Sequence, residues 1–292
     1  MILIYQAARS GTTSLWRYLS AHPEICMGRR KEPDFFTLLE GVGDVPDGIH
    51  SRYSGRYARG LTWYRNQFRH CETGQRTGEA STLYLTQPDS AELIHRHLPD
   101  VQLLFILRNP VDRLYSHYCW EHAGGWRLPN FDQVVQARGP LYQTYHYGSS
   151  YQRHVERFLA LFPREQMRVI ITEELQKNTQ AILDDIWRFL GIQPFHLAAE
   201  RIERHNQGRV PRFKGISLVA RNVARHLLDS RWAPVLRPIL GGSFSLLSRL
   251  NSRDQPYPPL DSPMRIRLSN EFLETRAYVE DFLGRPIPSW RP

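Results

Sequence analysis

Between a short apolar run, Ile2 to Tyr5, and a segment with the Leu15, Tyr18, Leu19 spacing of a helix stands Arg9-Ser10-Gly11-Thr12-Thr13-Ser14. A tight loop in that position turns several backbone N–H groups towards one anion, and the amino end of the helix adds its partial positive charge. Gly11 lets the backbone approach closely, Thr12, Thr13 and Ser14 offer hydroxyls, and Arg9 offers a mobile cation, so the chemistry is that of a phosphate or sulfate cradle. It is not the nucleotide loop GxxxxGK[ST], because no glycine precedes Gly11 at that spacing and no lysine follows it. A second candidate cradle is Arg108 with Asn109, Arg113 and Ser116, just after the apolar stretch VQLLFIL. Arg113 and Ser116 are three apart and share a helix face, so both are expected to meet one phosphate above Arg108. Two anion sites at two strand ends suit a ligand with two separated anionic groups. Taken alone, the charged stretch Arg29, Arg30, Lys31, Glu32 and Asp34 reads as a solvated loop.

The elements that must hold these residues alternate. Strand, loop and helix open the chain, with the helix expected over 14–21 and stopped near Pro23. Residues 41–60, rich in Gly, Asp, Pro and Ser, read as a surface excursion, followed by a short aromatic helix over 61–68. Beyond Thr77-Gly78-Glu79-Ala80-Ser81-Thr82, a helix is expected over 90–97. The strand 101–107 is apolar without alternation, as a central parallel strand is when helices cover both faces. Pro110 suits the first position of a helix over 111–122. A helix over 151–162, a strand over 167–172, a helix over 179–190 closed by Gly191 and a last helix over 266–283 complete an α/β pattern with a central, mostly parallel sheet. A basic, apolar helix is expected within 216–228, in a less regular region spanning 212–250.

The chain has 292 residues, enough for one α/β domain, and a formal charge of +9 carried almost wholly by arginine. That charge favours an anionic partner without naming it. The arginines are scattered among acids rather than gathered in a stripe interleaved with aromatics, which argues against nucleic acid. Cysteines at 26, 71 and 119 form no CxxC pair and are odd in number, so no disulfide, three free thiols and a reducing compartment are expected. No HExxH pattern or compact His/Asp/Glu grouping is visible among the histidines, and no metal is expected. His22, before Pro23, is expected to make a structural hydrogen bond. The start MILIY lacks a basic, long apolar leader, which points to a cytoplasmic protein.

Read together, YQAARSGTTSLWRYLSAHPEI, KEPDFF, GEASTLYL and FILRNPVDRLYSHY resemble the sulfotransferase superfamily, in particular bacterial sulfotransferase-domain proteins similar to the heparan-type enzymes. YGSSYQRHVERFLALFPREQMRVIITEEL, QAILDDIWRFLGI, RHNQGRVPR and PPLDSPMRIRL continue the resemblance in family order over most of the chain. It implies a single sulfotransferase domain over 1–292 with a P-loop-like fold. It also implies transfer of the sulfuryl group of 3'-phosphoadenosine 5'-phosphosulfate (PAPS), the co-substrate, to an acceptor hydroxyl or, less favoured, an amine. The loop Ala8, Arg9, Ser10, Gly11, Thr12, Thr13, Ser14 would hold the 5'-phosphosulfate, with Arg9 where the family has lysine. Arg108 and Ser116 would hold the 3'-phosphate, and Gly208 and Arg209 would belong to a loop closing over the donor. Glu32 would be the base, preferred to Asp34, with Arg9 as its catalytic partner. Where relatives carry Glu-Lys this chain has Glu79-Ala80, which removes a cation from the centre of the site.

The resemblance favours a carbohydrate, glycosylated or small natural-product acceptor, met by aromatic-rich excursions at 41–75 and 123–150. The region 215–250 is expected either to cover the acceptor cleft or to make a subunit or membrane-surface contact. Alternatives are a catalytically inactive donor- or carbohydrate-binding homologue and a nucleotide-dependent kinase; the latter should show a stronger nucleotide loop and metal-binding carboxylates.

Overall fold

In a computed structural model, residues 1–6, 10–38, 56–123, 128–198, 209–211, 252–254 and 257–291 are described. Strands β1 (Ile2–Gln6), β2 (Ile25–Met27), β3 (Arg76–Ser81), β4 (Gln102–Leu107) and β5 (Met167–Ile171) form one sheet in the order β2-β3-β1-β4-β5. Every pairing in it is parallel. The expected α/β architecture is therefore present. The apolar run after residue 101 is the β4 strand beside the central β1, and its side chains divide between two layers. Leu103, Phe105 and Leu107 face one core with Leu3 of β1, while Leu104 and Ile106 face the other with Ile2 and Ile4. Burial on both faces removes any need for a polar alternation.

Helix α1 (Thr12–Ser20) covers one face, together with the later helix at Thr179–Leu190, through Leu15, Leu19, Leu183, Ile186 and Trp187. The other face is covered by α2 (Gly60–Arg65), α3 (Leu83–Thr86), α4 (Ser90–His97) and residues of the Tyr151–Leu159 helix, through Tyr64, Tyr84, Leu85, Ile94, Val155 and Phe158. Beyond β4, α5 (Pro110–Ala123), α6 (Phe131–Ala137) and α7 (Pro140–Ser149) build a satellite cluster, then come α8 (Tyr151–Leu159), α9 (Thr172–Lys177) and α10 (Thr179–Leu190). Pro110 occupies the first turn of α5 and Gly191 ends α10 in the left-handed conformation, as the sequence led one to expect. Strands β6 (Arg209–Pro211) and β7 (Ser252–Asp254) pair antiparallel, and β6 lies alongside α5.

Several boundaries differ from expectation. The first helix opens two residues earlier, because Gly11 rather than a hydroxyl residue starts it. The Thr77-to-Ser81 segment is itself a strand, β3, whose Gly, Glu and Ser conceal it from an apolar-run reading. The expected helix over 266–283 is two helices, α11 (Ser262–Glu271) and α12 (Leu273–Leu283), meeting at Phe272, whose φ of −103° and ψ of 17° are not helical. The helix expected within 216–228 and the whole of 212–250 lie outside the described residues. No helix of the described residues is long and apolar enough to cross a membrane.

A correction concerns the cysteines. Cys26 of β2 and Cys71 are joined in a disulfide with their Cα atoms 5.6 Å apart, and Cys119 is buried and not disulfide-bonded. Three free thiols are therefore not what the structure holds, and the inference of a reducing compartment loses that support. No Cys spacing announces the bond, since 45 residues separate the partners.

Candidate functional site

From β1 the chain leaves towards β2 on one side of the sheet, and from β4 towards β5 on the other, with α1 and α8 on opposite faces. The carboxyl ends of β1 and β4 therefore flank the crevice where open α/β sheets bind ligands. The Gly11 turn follows the first of these strand ends and Arg108 the second.

The first follows β1. Gly11 has φ of +94° and its carbonyl accepts from Ser14 N at 3.1 Å and Leu15 N at 3.3 Å, so the residue that turns the chain into α1 must tolerate a left-handed backbone. Among the described residues no side chain caps this helix and its first turn holds no acid, so nothing there opposes the partial positive charge of the helix amino end. Thr172, opening α9, fixes the loop: its hydroxyl lies 2.6 Å from Ser10 O and 2.9 Å from Leu107 O, donating between the ends of the β1 loop and β4. Ser10 is fully buried, and Thr13 and Ser14 are half-buried in the first turn that Thr12 begins. Ala8 and Arg9 lie outside the described residues, as does Gly208; Arg209 begins β6.

The second cradle is only partly as expected. Arg108, half-buried, leaves β4, and its carbonyl accepts from Tyr151 Oη at 2.8 Å. Ser116 lies within α5 and is 5% exposed. Asn109, however, is used as the cap of α5: its Oδ1 accepts from Val111 N at 3.0 Å and Asp112 N at 3.3 Å, and its own N–H donates to Glu173 Oε1 at 2.9 Å. Arg113 does not join Arg108 at the rim. It is buried between α5 and α7, donating to Tyr145 O at 2.7 Å and Ser149 Oγ at 3.3 Å beside His117 Nδ1 at 2.9 Å. Burial lowers its pKa to about 10. Gly148 makes room for it, since a Cβ there would stand 2.6 Å from the guanidinium. The i, i+3 spacing puts Arg113 and Ser116 on α5 as expected, but the Arg113 guanidinium is taken by Tyr145 O and Ser149 Oγ of α7 instead of standing above Arg108.

The third component comes from the charged loop after β2. Gly28 N donates to Gly78 O at 2.8 Å and Glu32 N to Ala80 O at 3.0 Å, so the loop tracks β3 to its carboxyl end, next to β1. Glu32 and Asp34 both carry positive φ, +58° and +46°. For non-glycine residues that conformation costs about 1–3 kcal/mol each and persists only where surroundings impose it. Glu32 remains at 39% side-chain exposure, with Lys31 Nζ 2.8 Å from its Oε1. Asp34 is 8% exposed, and its Oδ1 is buried with no hydrogen-bond partner among the described residues. Arg56 Nη1 lies 3.7 Å from Asp34 Oδ2 and donates to Glu32 O at 3.0 Å and Pro33 O at 2.6 Å, clamping the loop through its carbonyls. Burial first, and the charge of Glu32 second, raise the Asp34 pKa to about 7. Nothing in sequence spacing marks Arg56 or Ser81 as partners of this loop, because each bonds a backbone group 24 or 47 positions away.

A raised carboxyl pKa has a stability consequence. The fold favours the protonated form, so the penalty for ionised Asp34 is absent below about pH 4, grows as pH rises, and is complete above about pH 7. Asp34→Asn is therefore expected to gain stability over the parent by about 1–3 kcal/mol at pH 8 and little at pH 4. Urea denaturation at the two pH values checks this; a constant difference between parent and variant would contradict it.

Ala80 is 1% exposed in the apolar layer with Ile4 and Leu15. A lysine stem at this position would have to run along that layer to reach the carboxyl edge. Of the aromatics in the two excursions, Tyr64, Tyr142 and Tyr145 are core and Trp63, Tyr57 and Tyr147 are half-buried, while Tyr53 and Trp126 lie outside the described residues; Trp120, in α5 just before the second excursion, is 39% exposed. His22 makes the structural hydrogen bonds expected of it, to Gln193 O at 2.9 Å and from Glu24 N at 3.1 Å. Sequence reading missed one grouping: His70 Nε2 lies 3.5 Å from Cys26 Sγ, and the ligand-type atoms of Cys26, His70 and Cys71 all fall within 4.8 Å of one another. Here the two sulfurs are bonded to each other.

An open parallel sheet with a helix amino end after β1, a basic strand end at β4 and a carboxylate loop over β3 defines an α/β protein of P-loop-like kind. The Sulfotransferase family profile matches residues 2–196, and the chain belongs to that family. It is 26% identical over 312 aligned positions to human bifunctional heparan sulfate N-deacetylase/N-sulfotransferase 2, covering 99% of this chain and 30% of that protein. It is 27% identical over 197 positions to human heparan sulfate glucosamine 3-O-sulfotransferase 6, covering 65% of this chain and 52% of that protein. The chain thus spans about a third to a half of these curated relatives, and the likeness to heparan-type enzymes is distant. The crystal structure of a sulfotransferase from Alicyclobacillus acidocaldarius superposes with a TM-score of 0.68 at 23% identity, covering 100% of this chain and 98% of that one, a likeness of fold.

Proposed function

We propose that the protein transfers the sulfuryl group of PAPS to a hydroxyl of a carbohydrate, glycosylated or small natural-product acceptor. Family membership supports sulfuryl transfer from this donor as the class of reaction. The observation that carries the site assignment is the convergence of the α1 amino end, the Arg108 strand end and the Glu32 loop on one edge of the sheet. The donor set suits a ligand with two anionic ends, and in this reading the Ala8-to-Ser14 loop takes the 5' end while Arg108 and Ser116 take the 3'-phosphate. Arg209, opening a strand beside α5, belongs with Gly208 to the loop over the donor. PAPS supplies an activated sulfuryl group. Glu32 receives the acceptor's proton as its oxygen bonds to sulfur, and Arg9 with the helix amino end neutralises the charge left on the departing phosphate. Asp34 is a second reading for the base, favoured by its orphaned Oδ1 and its pKa near 7, which suits proton abstraction at neutral pH.

Calorimetry with adenosine 3',5'-bisphosphate tests the donor site. Loss of a charge-assisted contact predicts that Arg108→Ala weakens binding by about 1.5–3 kcal/mol, roughly ten- to a hundredfold. Binding as tight as the parent's would remove Arg108 from the site. Labelled PAPS offered with sugar, phenol and amine acceptors tests the transfer itself. Tight bisphosphate binding without transfer to any of them would leave a donor-binding homologue.

A further inference from the structure

Beneath the charged loop lies a buried acid to which the transfer reading gives no role. Glu79, in β3, is 1% exposed, yet three hydroxyls donate to its carboxylate: Tyr64 Oη at 2.8 Å and Tyr84 Oη at 3.0 Å to Oε1, and Ser81 Oγ at 2.9 Å to Oε2. Two of those hydroxyls accept in turn from consecutive backbone amides. Asp34 N donates to Ser81 Oγ at 3.1 Å, and Phe35 N and Phe36 N donate to Tyr84 Oη at 2.8 and 3.3 Å. A hydroxyl that gives its proton to a carboxylate keeps its lone pairs for the amides, so the acid sets the direction of every bond in the relay. The amides so held begin at Asp34, one residue beyond Pro33, and Glu32 and Asp34 are the residues of this loop with left-handed backbone.

We propose that Glu79 is a positioning residue: through Ser81 and Tyr84 it holds the backbone of residues 34–36 and thereby imposes the conformation in which Glu32 and Asp34 stand at the sheet edge. Arg56 grips the same loop by its carbonyls, so the loop is held from both polarities of its backbone. Tyr64 is the internal control. It is buried and bonds the same carboxylate oxygen as Tyr84, but no amide of the 34–36 stretch donates to it. Burial raises the Glu79 pKa to about 7, and the three hydroxyls oppose that rise. Catalytic consequences of the relay rest on the transfer reading; the relay itself does not.

The experiment measures amide hydrogen exchange and bisphosphate affinity on Glu79→Gln, Tyr84→Phe and Tyr64→Phe, with single-turnover transfer from labelled PAPS to whichever acceptor the screen yields. A carboxamide has one acceptor oxygen and cannot receive all three hydroxyls. Exchange at residues 34–36 is expected to quicken about tenfold or more in Glu79→Gln and Tyr84→Phe, as for loss of a bond to a charged acceptor, with β4 amides and bisphosphate affinity unchanged. Transfer should slow in the same two variants, while Tyr64→Phe stays within about threefold of the parent on each measure. Unchanged exchange in a folded Glu79→Gln, equal effects of the two tyrosine variants, or parallel loss of bisphosphate affinity would each overturn the assignment. If no acceptor reacts, the exchange pattern still decides the relay, and only the transfer reading falls.

Discussion

Glu32→Gln is expected to bind adenosine 3',5'-bisphosphate as the parent does and to turn over about 10²–10⁴-fold more slowly, the range for loss of a positioned general base. That is roughly 3–5 kcal/mol of barrier, more than any contact within the loop is expected to contribute. The amide preserves size and leaves the Glu32 N–H on Ala80 O, so the backbone has no reason to move. Asp34→Asn is the decisive partner. With Glu32 as the base, Asp34→Asn retains most of the turnover, and with Asp34 as the base the two variants exchange their effects. Single-turnover transfer at saturating donor and acceptor makes the comparison. Parental turnover in Glu32→Gln would pass the role to Asp34, whose burial and neighbouring charge already hold it near neutral pKa.

The other large effect concerns stability. Replacing both Cys26 and Cys71 by alanine is expected to lower unfolding free energy by about 4 kcal/mol, the chain-entropy value for a closed loop of 45 residues. The loop so closed runs from β2 through Glu32, Asp34 and Arg56 to the end of the aromatic segment, so its loosening falls on the Glu32 loop before it reaches β4. Urea denaturation of the oxidised, reduced and double-alanine proteins measures the effect. Thiol titration of the unreduced, denatured chain should find Cys119 alone; three reactive thiols would show that the bond does not form.

Local chemistry was legible wherever neighbours in sequence are also neighbours in space. Gly11 before hydroxyls, Pro110 at a helix start, Gly191 at a helix end and the unbroken apolar run of β4 each act within a few residues, and so the α/β alternation and the first cradle could be read from spacing. The family resemblance added the expected role of Glu32, which residue types alone would have left to a solvated loop, and matched Arg108 and Ser116, already legible as a candidate cradle, to a 3'-phosphate. Tertiary structure decided the rest. Asn109 was taken by a helix cap, Arg113 was drawn into the α5–α7 layer by a carbonyl and a hydroxyl, and Cys26 found Cys71 across the sheet edge. Glu79, hidden in a strand that reads as polar, became the hub beneath the Glu32 loop because strand pairing and helix packing placed Ser81, Tyr84 and Tyr64 around it. A sequence determines what each residue is able to donate, accept or bury; which of several competent partners it meets depends on long-range register, and that exists only once the sheet has formed.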